Sequence, residues 1–164
     1  MMQNERIKYM RMPTELKKLH ENTHIHGITC SETDDSLNFS HLIAIIPGPK
    51  GTPYEDGKFK INIQVLESYP FRPPAFTFLT PVFHPNVDTS GKICMSLLRI
   101  PPSGTYNPAV TLEAVLLSIQ LLLATPNADD PIRVDAADLY KSNRQEYNRT
   151  ARELTKKHCA PVEK

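Results

Sequence analysis

The chain is short of cysteine, of net charge and of long apolar runs, and each shortage removes a class of function. Its 164 residues hold three cysteines, Cys30, Cys94 and Cys159. An odd number with no close pairing argues against a disulfide framework and against a Cys-rich zinc site. The formal net charge is +1, too small to draw the protein electrostatically to nucleic acid or to an acidic membrane. No stretch of ~18 apolar residues exists, and charges interrupt residues 1–12, so neither a membrane span nor a secretory leader is expected. The expected setting is therefore reducing, nucleus or cytoplasm, where the Asn-x-Ser/Thr triplets at Asn38 and Asn148 meet no glycosylation machinery. There is no phosphate-cradling glycine loop and no metal motif. The histidines at 20, 24 and 26 have no cysteine or acidic cluster to complete a zinc site, so neither cofactor nor metal is expected.

What is present describes an ordinary globular chain, 40% hydrophobic and 23% charged. Its length suggests one domain over residues 1–164, able to bury roughly 70% of the surface of the unfolded chain. The outlier is proline, fifteen residues against a usual ~5%. Most lie between Pro47 and Pro131, separated by hydrophobic segments, so they read as fixed turns in a rigid domain.

The N-terminal segment has helical character but meets Pro13. A proline in a helix interior costs ~3 kcal/mol, which predicts a kink or two pieces, the second over 13–21. Residues 27–31, 38–46, 58–65 and 75–79 are β-branched or aromatic and alternate or run apolar. Turn clusters between them predict an antiparallel meander. Residues 81–106 have neither period, and a stretch that long inside a compact domain is usually functional. Residues 111–123 are apolar almost all round, the mark of a buried helix. Asp130-Pro131 has the form of an N-cap with proline at the first helical position, and 142–145 has the form of a capping box opening a last helix. The fold class is α+β.

Cys94 lies in the irregular segment. Alone it would read as a small buried hydrophobe. Around it stand His84-Pro85-Asn86 ten residues earlier, Tyr106-Asn107-Pro108-Ala109 twelve later, Tyr69-Pro70-Phe71-Arg72-Pro73-Pro74 upstream and Pro126-Asn127-Ala128-Asp129-Asp130-Pro131 downstream. Five motifs in this order over about residues 14–158 resemble the ubiquitin-conjugating enzyme family. The resemblance implies an N-terminal helix, a four-stranded antiparallel sheet, an irregular active-site segment, a central helix and two C-terminal helices. It also implies that Cys94 carries ubiquitin as a thioester and passes it to a protein lysine. The implied partners are ubiquitin, its activating enzyme, a RING-type ligase and the substrate protein.

The chemistry accounts for the residue types. A thiolate is the nucleophile that receives the modifier. Negative charge then gathers on the thioester carbonyl when a lysine amine attacks, and the family gives an amide donor at Asn86 the task of stabilising it. Asn86 reads equally well as a residue that ties down its loop. His84 reads as structural, a ring bonded to backbone beside Pro85. Asp130 matches the acidic residue that orients the incoming lysine, whose ordinary pKa of ~10.4 leaves it protonated at neutral pH; it reads also as a helix cap. The ligase surface maps to Arg6 and Arg11 of the first helix and to Phe71, Pro108 and Ala109, although Phe71 has a core reading too. Tyr69-Pro70 matches a cis bond in the family.

Some positions depart from the family. Tyr106 stands where most members have tryptophan, Ser96 where an acidic residue is usual, and Pro13 where a lysine is usual, leaving Arg6, Lys8 and Arg11 as the basic face of the first helix. The spacing from Cys94 to Tyr106 is longer through Ile100-Pro101-Pro102-Ser103-Gly104. That extension resembles the T subfamily, which implies attachment of single ubiquitins in DNA crosslink repair. Lys92, at the rim of the site, is expected to favour target lysines in acidic surroundings. Two other readings remain: a carrier of another ubiquitin-like modifier, and an inactive variant that binds ubiquitin.

Overall fold

The computed structural model describes residues 2–33 and 38–159. Four strands form one antiparallel sheet in the order β1 (Thr29–Glu32), β2 (His41–Pro47), β3 (Lys58–Gln64), β4 (Ala75–Phe78). The meander follows from strict alternation along β2 and β3. Leu42, Ala44 and Ile46 face inward opposite Ile63, Ile61 and Phe59, and Phe76 and Phe78 of β4 continue the same face. Period two places every second side chain on one side of the sheet, and that side is the core. The strands begin up to three residues later than the expected segments, because residues 38–40 pack as irregular chain.

Helix α1 (Met2–Glu21) runs through Pro13 without a break, so the expected division of this helix does not occur. Met12 and Leu19 are fully buried on one face, with Lys8 and Glu15 beside them. Packing on both sides of the proline holds the two halves in line. Pro13 and Tyr9, whose carbonyl lacks its usual N–H partner, lie on the exposed side, where water can satisfy that oxygen. The expected basic face is reduced by the same packing. Lys8 points inward and donates to Ser40 Oγ at 3.1 Å and to the carbonyl of Val65 at 3.2 Å. A short helix, α2 (Thr23–His26), follows and is closed by Gly27 at φ 72°.

The central helix α3 (Leu112–Ala124) lays Leu112, Val115, Leu116, Ile119 and Leu123 against the sheet. Thr111 caps it by accepting from Ala114 N. Its burial is one-sided rather than complete: Leu117 and Leu121 are 39% and 65% exposed, since among the described residues no element covers that flank. Two helices close the chain, α4 (Val134–Ser142) and α5 (Arg144–His158). Both start later than expected. The N–H groups of Ile132 and Arg133 donate to the carbonyl of Pro85 at 2.9 and 3.0 Å, holding the chain after Pro131 extended, so Asp130 caps no helix. The cap of α5 is Asn143, accepting from Glu146 N at 3.1 Å, while Ser142 ends α4 and donates to the Asp138 carbonyl. No helix among the described residues is long and apolar enough to cross a membrane.

Candidate active site

Cys94 carries a free, half-buried thiol at the end of a short extended run. Isolated bridges pair Lys92 with Thr77 and Ile93 with Val87, so Lys92 and Cys94, two residues apart, share a face. Asp88 sets up this run by accepting from Ser90 and from Lys92 N, and the Ser90 hydroxyl is the main cause that holds its carboxyl below the usual range. Gly91 passes so close to β4 that a β-carbon would stand 2.0 Å from the Phe78 carbonyl, and its φ is 89°. Only glycine fits there. The thiol lines an open cleft of about 380 Å³ with Pro74, Phe76, Met95, Leu98 and Ile132 as its apolar wall, and Lys92 and Arg99 as its cations.

The segment 84–86 is locked from beneath. His84 is fully buried; Nδ1 accepts from Asn86 N at 2.9 Å, so Nε2 carries the proton and donates to the Leu122 carbonyl at 2.8 Å. Burial lowers its pKa to about 4, against the pull of the Leu122 carbonyl. His84 is thus a neutral strut between this segment and α3, as expected of it. Asn86 is 2% exposed. Its Nδ2 donates to the carbonyls of Asn127 at 2.9 Å and Asp130 at 3.2 Å, and its Oδ1 accepts from Asn127 N at 2.8 Å. Both amide hydrogens are engaged, so in this arrangement Asn86 ties its loop rather than aiming a free donor into the cleft. Its backbone carbonyl accepts from Cys94 N at 2.8 Å.

These bonds bring three of the expected residues together. Cys94 is joined to Asn86 through backbone, Asn86 to the 127–130 turn through its amide, and Pro85 to residues 132–133 through its carbonyl. Asp130 is exposed at the edge of this junction. Tyr106 takes the aromatic slot, 2% exposed, donating to the Pro70 carbonyl at 2.6 Å. The longer loop before it folds back onto the turn after Cys94: Thr105 N donates to the Ser96 carbonyl and Tyr106 N to that of Arg99. Tyr69-Pro70 is cis, as is Pro101-Pro102.

Phe71 is 50% exposed, which disposes of its core reading. Pro108 and Ala109 are exposed as well, and Arg6 lies on a different face of α1 from Arg11. Arg11 turns inward. It pairs with Glu15, donates to the carbonyls of Pro108 and Val110, and covers the Tyr69 ring at 5.2 Å. Sequence reasoning missed Glu15 and the Tyr69 hydroxyl. The available signal was a carboxylate standing between Met12 and Leu19 on the apolar stripe of α1, where an acid needs partners.

A partly exposed thiol in a shallow cleft, backed by a neutral histidine strut and a tied-down asparagine, suits a transferase that carries its cargo on cysteine. The family profile described as ubiquitin-conjugating enzyme matches residues 11–155, and the chain belongs to that family. It is 43% identical over 138 residues to human ubiquitin-conjugating enzyme E2 T, a match that takes in 84% of this chain and 69% of the human protein. It is likewise 43% identical to the Xenopus laevis protein of the same name over 136 residues, 83% of this chain and 70% of that one. Among solved structures, the E2 domain of a ubiquitin conjugating enzyme from Toxoplasma gondii superposes with a TM-score of 0.81 at 30% identity, covering 92% of this chain and 99% of that one.

Proposed function

We propose that Cys94 receives ubiquitin from the activating enzyme and passes it, aided by a RING-type ligase, to a protein lysine. In the first step the Cys94 thiolate attacks the activated carbonyl and the thiolate of the activating enzyme leaves. In the second, the lysine amine attacks the thioester, the C–S bond breaks, an isopeptide forms and the amine proton is lost. The observation that supports this most is the Cys94 cleft itself, open to solvent and joined by backbone hydrogen bonds to the segments bearing Asn86 and Asp130. Asp130, with no capping duty, orients the incoming amine at the rim. Asn86 acts by fixing the segments between which the reaction occurs.

The partner surface is Phe71 with Pro108 and Ala109, an exposed aromatic beside a rigid turn, with Arg6 on α1. Arg11 supports this surface from behind. Lys92 and Arg99 make the mouth of the cleft cationic, which suits a target lysine set among acidic residues. The resemblance of its extended loop to the T subfamily is what suggests attachment of single ubiquitins in crosslink repair, and residence in nucleus or cytoplasm is carried by the sequence reading alone. Transfer of another modifier keeps the same mechanism and changes only the cargo.

The test is to mix the protein with ubiquitin, its activating enzyme and ATP, and to separate the products with and without reductant. A band heavier by one ubiquitin should vanish on reduction and resist it in Cys94→Ser. No band with any modifier would overturn the carrier role and leave the inactive binding variant as the better reading. Lys92→Asp should redirect transfer away from lysines in acidic peptides; an unchanged preference removes Lys92 from specificity.

A further inference from the structure

The Glu15 carboxylate is 9% exposed and ties its own helix to two distant segments at once. It accepts from the Tyr69 hydroxyl at 2.8 and 2.9 Å on its two oxygens, from Leu112 N at 3.0 Å, and from Arg11 Nε. Each donor lies behind or beside a different part of the partner surface. Tyr69 immediately precedes Pro70 and the exposed Phe71. Arg11, held by Glu15, donates to the carbonyls of Pro108 and Val110 on either side of Ala109. Leu112 N is the first N–H of α3, so the carboxylate also sits on the positive end of that helix. The Tyr106 hydroxyl bonds the Pro70 carbonyl, a second tie on the same loop.

We propose that Glu15 is a positioning residue for the ligase-facing surface: this one buried carboxylate holds the Phe71 loop and the Pro108–Ala109 turn in a single arrangement before any partner arrives. The inference rests on the reading of that surface as the ligase site. A surface assembled beforehand loses less freedom on binding, so its benefit falls on affinity. Glu15 itself touches no partner. A buried acid that served stability alone would need only enough donors; here each donor lies in or next to a segment of the proposed interface.

Tyr69→Phe isolates the effect, because it deletes one hydroxyl, keeps the ring under Arg11 and leaves Glu15 two other donors. Glu15→Gln is the second variant, in which an NH₂ group must face a donor with no lone pair to offer, either Arg11 or the Leu112 N–H. The probe is the isolated RING domain, taken from a panel, that most accelerates discharge of the wild-type thioester to free lysine. The rate is measured against RING concentration, with unassisted discharge as reference. Tyr69→Phe should raise the half-saturating RING concentration about tenfold, the worth of a hydrogen bond to a charged group. Its plateau rate and its unassisted rate should stay unchanged. Combined with Phe71→Ala, it should add less than it does alone, since both act through one loop. If Phe71→Ala weakens the RING response while Tyr69→Phe and Glu15→Gln leave half-saturation where it was, the inference is wrong and the ligase surface stands. If Phe71→Ala has no effect, or no RING domain accelerates discharge, the ligase reading itself falls and takes the inference with it.

Discussion

His84 shows how much a single side chain can reveal about the site. Both ring nitrogens are used by backbone, and burial holds its pKa at about 4, against 6.5 in an unfolded chain. The native state therefore prefers the neutral ring. Above pH 6.5 neither state binds the proton and the full stability is present; between 6.5 and about 4 only the unfolded chain takes it up, and stability falls with pH. The shift of these values amounts to about 3 kcal/mol across that window. Denaturant unfolding at pH 7 and at pH 4.5 should show the loss, and His84→Gln, though less stable at neutral pH, should show a shallower slope. Equal slopes would remove His84 as the source. Asn86→Ala should cost ~1–3 kcal/mol, for it strands Asn127 N and two carbonyls. Loading of Cys94 should survive that change, while lysine-dependent discharge should slow by ~10²-fold as the segment bearing Asp130 comes loose; an unchanged discharge rate would show that its tie is dispensable.

Among the elements, α1 is the one in which tertiary packing overrides the local rule most plainly. Pro13 predicts a kink or a break, and the helix continues unbroken because Met12, Leu19 and the Lys8 and Glu15 bonds hold both halves to the same surface. Pro13→Ala should accordingly stabilise the protein, by up to ~3 kcal/mol, since it restores an N–H to an already formed helix. A rise in the unfolding midpoint without change in helical content is the expected result; a fall would mean that the proline ring itself packs usefully. The strands were legible because alternation in 41–47 and 58–64 leaves one assignment of faces. The starts of α4 and α5 were not. Whether Asp130-Pro131 opens a helix depends on the Pro85 carbonyl capturing Ile132 and Arg133, a contact across more than forty residues that no local pattern carries. The exposed flank of α3 is the same lesson reversed: an apolar periphery such as Leu117 and Leu121 says what a helix can bury, and the neighbours decide what it does bury. Around Cys94 the motif spacing singled out Asn86 and Asp130, segments that the fold does bring together, whereas Glu15 was hidden because two of its donors, Tyr69 and Leu112, come from distant segments.

Across the whole molecule, the C-terminal helix is tied to the active-site loop through two tyrosines. Tyr54 donates its single hydroxyl hydrogen to the Phe83 carbonyl at 2.6 Å, so the 2.5 Å contact with Tyr147 must be donated by Tyr147. Both are 1% exposed, and the line runs from α5 through Tyr54 to the residue before His84. The direction of donation fixes an asymmetry. Tyr147→Phe removes a donor and leaves the Tyr54–Phe83 bond whole, at a cost of about 1 kcal/mol. Tyr54→Phe strands both the Phe83 carbonyl and the Tyr147 hydroxyl in the interior, and should cost about 2–4 kcal/mol. It should also slow discharge from Cys94, because the carbonyl it frees lies one residue from the histidine strut. The double variant should be no less stable than Tyr54→Phe alone, since the second change removes a group the first had orphaned. Chemical unfolding of the three variants decides the matter. Should Tyr147→Phe prove the costlier single change, the hydrogen runs from Tyr54 to Tyr147 instead, and α5 is not coupled to the catalytic loop through this pair.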